Sequence, residues 1–186
     1  MDDDWHNISG LKDREVNVIR IIDNEDLAYF TFEGLKRLLR IHPETLSRIL
    51  NRLTEDEILK KTNDHYTLTS KVKGLLETQN PGSNNPNLLL FQSLLPPQLP
   101  TNKIISNLKC KWFGTLRWLG YSTKNKDVAL RWITDDGAAI VSAIFSQGIL
   151  SIYVKMISEN DFNSAINASY QLMGYITKLI SKTQNN

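Results

Sequence analysis

Cysteine is nearly absent from this chain: Cys110 is the single one among 186 residues. An internal disulfide is therefore excluded, and a cysteine-rich metal site with it. Histidine is scarce as well. His6, His42 and His65 stand far apart without ligand-like spacing, so neither a metal nor a cofactor is expected. Apolar runs fall short of the ~20 residues that a membrane span requires. The acidic start, Met1-Asp2-Asp3-Asp4, has no signal-peptide character. These absences lead to the expectation of a cytoplasmic protein kept away from membranes. Catalytic signatures are lacking too: there is no nucleophile motif, no Gly-rich phosphate loop and no dinucleotide fingerprint. Asp135-Asp136 is a carboxylate pair, but it falls where a hairpin turn is expected and reads as turn chemistry. The chain is not expected to be an enzyme.

Proline is missing from most of the chain, and where it occurs is informative. Five of the six prolines lie between positions 81 and 100, among Gly82, Ser83, Asn84 and Asn85. That is a linker signature, and it divides the chain into residues 1–79, a linker at 80–102, and residues 103–186. Inside the linker Leu88 to Leu95 is too apolar to hang in water. It reads either as a short helix or strand docked on the second part, or as a contact between subunits.

The sixth proline, Pro43, lacks an N–H and has its φ already set for a helix, so it fits a first helical position, with His42 as the cap. From there Leu46, Ile49, Leu50 and Leu53 recur at i, i+3, i+4 and i+7, which makes one apolar stripe. Glu44, Thr45, Ser47, Arg48, Asn51 and Arg52 occupy the other side. Upstream, Thr31 to Arg40 predicts a short helix with Phe32, Leu35, Leu38 and Leu39 turned inward. Leu11 to Asn24 predicts another. Downstream, 58–62 and 65–68 are short β-type runs joined at Asn63-Asp64, and a further helix is expected from Lys71 to Thr78.

Helix, helix, hairpin and helix in this order, three residues apart at the helical turn, resemble the winged helix-turn-helix of the MarR-like and ArsR-like regulators. The segments "ETLSRILNRL", "ILKK" and "YTLTSKVKGLL" carry the resemblance. It implies a DNA-binding domain over 1–79 whose recognition helix spans 43–54. Thr45, Ser47, Arg48 and Asn51 would then face bases, and Arg52, Lys36, Lys60 and Lys61 would hold phosphates. The chain departs from that pattern twice. Glu57 stands where those families place a glycine before the first wing strand, and the short wing carries Asp64 at its tip.

Beyond residue 102 the period changes. A helix or strand over 103–108 precedes an alternation from Lys111 to Leu119, with Trp112, Leu116 and Trp118 on one side and Lys111, Thr115 and Arg117 on the other. After a turn at 120–127, strands are expected at 128–133, 138–146 and 149–157, with hairpin signals at Asp136-Gly137 and Gln147-Gly148. A helix over 158–181 would turn Phe162, Ile166, Ser169, Met173, Ile176 and Ile180 inward. The expected fold class is α+β: an N-terminal winged helix-turn-helix, then a four-stranded antiparallel sheet covered by one long helix.

Charge is unevenly spread behind a net +2. Residues 1–80 carry 12 Lys and Arg against 15 Asp and Glu, whereas 103–186 carry 10 against 5. A negative balance weakens non-specific attraction to phosphate, although the field at one face is what matters. Basic residues interleaved with aromatics over 103–126 make Trp112, Arg117, Trp118 and Trp132 a candidate ligand or anion site; the alternative is a tryptophan pair in the core beneath a solvated basic face. The leading functional expectation is a sequence-specific transcriptional regulator that binds double-stranded DNA as a homodimer, with 103–186 as a sensor or dimerisation domain that would pair subunits, sense a small-molecule effector or contact another protein. Two other expectations stand beside it: a winged-helix protein-interaction module in a larger assembly, and nucleic-acid binding by the basic second part.

Overall fold

The computed structural model describes residues 10–70, 87–158 and 162–184. The expected helix at 71–78 and the first part of the linker lie outside them. In chain order the elements are α1 (Asp13–Asn24), β1 (Tyr29–Phe30), α2 (Phe32–Leu39), α3 (Pro43–Glu55), β2 (Leu59–Lys61) and β3 (Tyr66–Leu68). Then follow β4 (Leu88–Leu94), α4 (Thr101–Leu108), β5 (Leu116–Lys124), β6 (Asp127–Thr134), β7 (Ala139–Ser146), β8 (Ile149–Met156) and α5 (Phe162–Gln184). The fold is mixed α+β.

The expected four-stranded sheet is replaced by one eight-stranded antiparallel sheet, ordered β2-β3-β1-β5-β6-β7-β8-β4. Strands from outside the meander extend it at both ends. Strand β1 pairs with β3 on one side and β5 on the other, so the N-terminal hairpin continues the C-terminal meander. Strand β4, from the Leu-rich run, joins the far edge beside β8.

Two cores fill the two faces of this sheet. On one, α4 and α5 bring Ile104, Leu108, Ala168, Leu172 and Ile176 onto Trp118, Trp132, Val141, Phe145 and Ile152. On the other, α1–α3 bring Ile19, Ile22, Leu35, Leu46, Leu50 and Leu53 onto Leu119, Ile133 and Ile140. Each fully buried Leu or Ile contributes roughly 1.5–3 kcal/mol. Helix α5 is rotated from the expected stripe. Its buried residues are Ala165, Ala168, Ser169, Leu172 and Ile176, while Phe162 is exposed. Small alanines let the helix lie close to the sheet, and hydrophobicity alone does not mark them.

Strand β5 also differs from expectation. It begins at Leu116 and runs through Gly120 to Lys124, and the turn is only Asn125-Lys126, both at positive φ. Two residues at positive φ match the twist of an antiparallel hairpin. Gly120 sits beside an irregularity in the β5–β6 register, where β1 crosses. A Cβ there would stand 2.0 Å from the Tyr29 carbonyl oxygen. Gly34 in α2 is confined as well, since a Cβ there would stand 2.7 Å from the Leu119 Cα. These two glycines let α2 and β1 approach the sheet backbone to backbone, and Thr31 fixes the contact by donating its N–H to the Leu119 carbonyl at 3.0 Å.

Polar clamps complete that face. Arg131 donates to Asp26 at 3.1 Å and to the Ser122 hydroxyl at 3.0 Å. Lys155 donates to Glu25 at 2.7 Å. Arg40 donates to the Gly137 carbonyl at 3.2 Å.

Candidate nucleic-acid interface

Helix α3 starts as its sequence dictates. Pro43 takes the first helical position, and the His42 ring nitrogen accepts from the Glu44 N–H at 3.4 Å. Leu46, Ile49, Leu50 and Leu53 are buried beneath it. At its end the Glu57 N–H donates to the Thr54 carbonyl and the Ile58 N–H to the Leu53 carbonyl, which is a Schellman closure. This closure needs a left-handed residue, and Glu57 supplies it at φ 59°. Glu57 thus holds the conformation a glycine would take there without strain.

The outer side of α3 is open. Arg48 is 79% exposed, and its guanidinium holds Glu44 at 2.6 Å, one turn earlier. Asn51 is exposed, and Thr45 and Ser47 are half-buried along the same helix.

Arg52 behaves differently. It turns back to α1, 3.3 Å from the Glu15 carboxylate, and donates to the Gly10 carbonyl at 2.8 Å. Glu15 is only 5% exposed, so this pair ties α3 to α1. Lys36 and Arg37 both engage Glu33, at 2.6 and 3.2 Å. The Arg48–Glu44 pairing was readable from i,i+4 spacing; the capture of Arg52 by a residue 37 positions away was not.

Lys60 and Lys61 are exposed on β2. Among the described residues neither has a carboxylate partner, and the Lys61 ammonium lies 5.6 Å from the Tyr66 ring centre. Asp64, at the hairpin tip, points toward Cys110 and Trp112 across a groove of about 380 Å³.

This groove is where part of the second candidate cluster gathers. Phe32, Glu33 and Arg37 of α2 form one wall, with Trp112, Arg117 and Trp118 opposite. Arg117 stacks over the Trp112 indole at 4.7 Å, and grips Asp135 through two nitrogens at 2.7 and 2.8 Å. Trp132 is elsewhere: it is fully buried, and its indole N–H donates to the Lys111 carbonyl at 2.9 Å. The expected alternation from Lys111 fails. Trp112 is 62% exposed whereas Trp118 is buried, because Gly114 adopts φ 56° and Phe113 turns in against Tyr175 before the strand starts.

The titratable groups around the groove are quiet ones. Cys110 is exposed, and partial burial of its thiol, helped by the Asp64 carboxylate, pushes its pKa above the ordinary value. Lys109 lies 3.7 Å over the Tyr121 ring, and burial lowers its pKa. Asp136 is held below the usual carboxylate range by the Thr134 hydroxyl and the Ala138 N–H, as suits turn chemistry.

Comparison with family models, curated proteins and solved structures gives no match. What the site can do is read from its own geometry. Among the described residues no group of His, Cys, Asp and Glu could hold a metal ion, and no helix is long and apolar enough to cross a membrane.

Proposed function

We propose that this protein is a sequence-specific, double-stranded DNA-binding transcriptional regulator of winged helix-turn-helix type, with α3 entering the major groove. One observation carries the reading: Arg48 and Asn51 of α3 stand open to solvent, with Thr45 and Ser47 half-buried beside them, while the helix's leucines are rooted in the core. Arg and Asn are the side chains that pair bidentately with guanine and adenine edges. Lys60 and Lys61 on the adjoining hairpin supply phosphate contacts, and Arg52 serves by fixing α3 against α1. Support for the winged-helix form comes from the order α1-β1-α2-α3-β2-β3 and the pairing β2-β3-β1. The protein acts as a homodimer on pseudo-palindromic sites, in the cytoplasm, as a binder rather than an enzyme. The groove between α2 and Trp112 is the natural place for a small-molecule effector.

One observation favours a second reading. Lys36, Arg37 and Arg52 are already paired with Glu33 and Glu15, which leaves few free cations for phosphate. A protein-interaction module would look like this too. Selection of the purified protein against random duplexes separates the two. Recovery of one enriched motif, preferably with two-fold symmetry, is the expected result; a library that emerges unenriched removes the regulator reading and leaves the interaction module.

A further inference from the structure

The sheet has two edges of opposite character. Strand β2 is three residues long and carries Lys60 and Lys61, the usual defences against unwanted pairing. Strand β4 is seven residues long, Leu-Leu-Leu-Phe-Gln-Ser-Leu, and has no charged residue. One side of β4 is bonded to β8. Among the described residues, its other side leaves backbone N–H and C=O groups without a neighbouring strand in the sheet. Leu88, Leu89 and Leu94 of this strand are exposed on the sheet faces beside that edge, Leu94 at 80%. Long, neutral, apolar edges of this kind are templates for another strand.

We propose that β4 pairs antiparallel with β4 of a second copy of this chain, joining two eight-stranded sheets into one across a two-fold axis. This inference concerns a different part of the molecule from α3 and stands whether or not the chain binds DNA. Several features select a second copy as the occupant. Antiparallel pairing of a strand with itself is isologous, so both copies satisfy the same groups at once. An uncharged edge offers no electrostatic steering to nucleic acid or to a charged peptide, whereas it matches its own neutrality. Pairing of β4 with β2 of another copy would grow an open filament, and the length and lysines of β2 oppose it. The assembly therefore closes at two. In the sequence Pro86 stands before β4, and Pro96-Pro97 follow it, which limits the paired length to this one strand.

Exposed Leu88, Leu89 and Leu94 lose water in the joined sheet without moving the core, since Leu90 and Phe91 already pack on it. At 4.7–4.9 Å per strand, the two β2-β3 hairpins end up at most roughly 67 Å apart along the sheet, about two turns of duplex.

Sedimentation velocity of the full chain across a wide concentration range tests the pairing. The expected wild-type species has twice the 21.3 kDa chain mass. Leu89→Lys/Leu94→Lys should weaken association at least tenfold with unchanged far-UV circular dichroism. Leu94→Lys alone, at the most exposed position, should give a smaller shift of the same sign if the double variant folds poorly. Tyr170→Lys on the outer side of α5 should leave the dimer intact. In the wild type, the amides of β4 that face away from β8 should lose exchange protection on dilution. A monomeric wild type, a polymer beyond two, dissociation by Tyr170→Lys, or folded β4 variants that dimerise undiminished would each overturn the proposal.

Discussion

The two faces of the sheet are built by different means. The face under α4 and α5 is held by apolar contact throughout its centre, with Trp118, Trp132, Leu172 and Ile176 packed together. The face under α1–α3 has an apolar centre too, but its docking depends on two glycines at backbone contact and on the Arg131–Asp26 and Lys155–Glu25 pairs. The first face tolerates small shifts, because side chains re-pack. The second face fixes α2, because backbone against backbone leaves nothing to give, and α3 is tied in turn to α1 through Arg52 and Glu15. A rigid seat beneath an open outer surface is what a recognition element needs.

The largest effect should therefore come from one methyl group on the second face. Gly120→Ala forces a Cβ against the Tyr29 carbonyl and is expected to cost more than ~3 kcal/mol, as steric overpacking of unyielding backbone does. Urea unfolding would reveal it, and a loss under 1 kcal/mol would show that β1 is loosely held. On the first face Leu172→Ala leaves a cavity and should cost about 2–4 kcal/mol. Its unfolding transition should shift while the near-ultraviolet spectrum keeps its native form, since the glycine contacts stay in place.

Smaller effects have the opposite sign. Glu57→Gly relieves a left-handed non-glycine residue and should stabilise by about 1 kcal/mol. An unchanged urea midpoint would mean that the Schellman closure is not strained. Asp23, in the α1 turn beside the clamp, has its pKa raised by burial and by Asp26. Raised in the fold, it favours folding only when protonated, and that contribution is lost as pH rises through its folded value. Asp23→Asn should therefore be slightly stabilising at pH 7, with the gain fading on acidification and gone below the ordinary 3.8. Thermal melts from pH 3 to 7 would record the trend, and a gain that grows toward acid would reverse the assignment.

Local signals were legible in the sequence and distant ones were not. The start and stripe of α3 follow from Pro43, His42 and the leucine spacing, because each acts within one or two turns, whereas its end is closed by Glu57, a residue that carries no stop signal in the sequence. The hairpins at Asp136-Gly137 and Gln147-Gly148 carry glycine and announce themselves, with Gly137 and Gly148 at positive φ. The Asn125-Lys126 turn has no glycine, and the expected loop was drawn too wide for it. Strand β1, which joins the two halves, has two residues and hence no periodicity to detect. Gly120 suggests a turn by composition, but its role is close approach within a strand. In the candidate site Arg48 and Asn51 were identifiable from the helix face they share. The diversion of Arg52 depends on Glu15, which only the packing of α1 brings near.

Parallel measurement of duplex affinity and melting temperature for Arg48→Ala/Asn51→Ala decides whether the exposed side of α3 reads bases. Both side chains lie on the exposed side of α3, so the melting temperature should stay near wild type, with at most ~0.5 kcal/mol lost from the Glu44 pair. Affinity for the selected duplex should fall by tenfold or more, as loss of base contacts worth about 1–3 kcal/mol each requires. A folded double variant that binds the duplex as tightly as wild type would contradict the account.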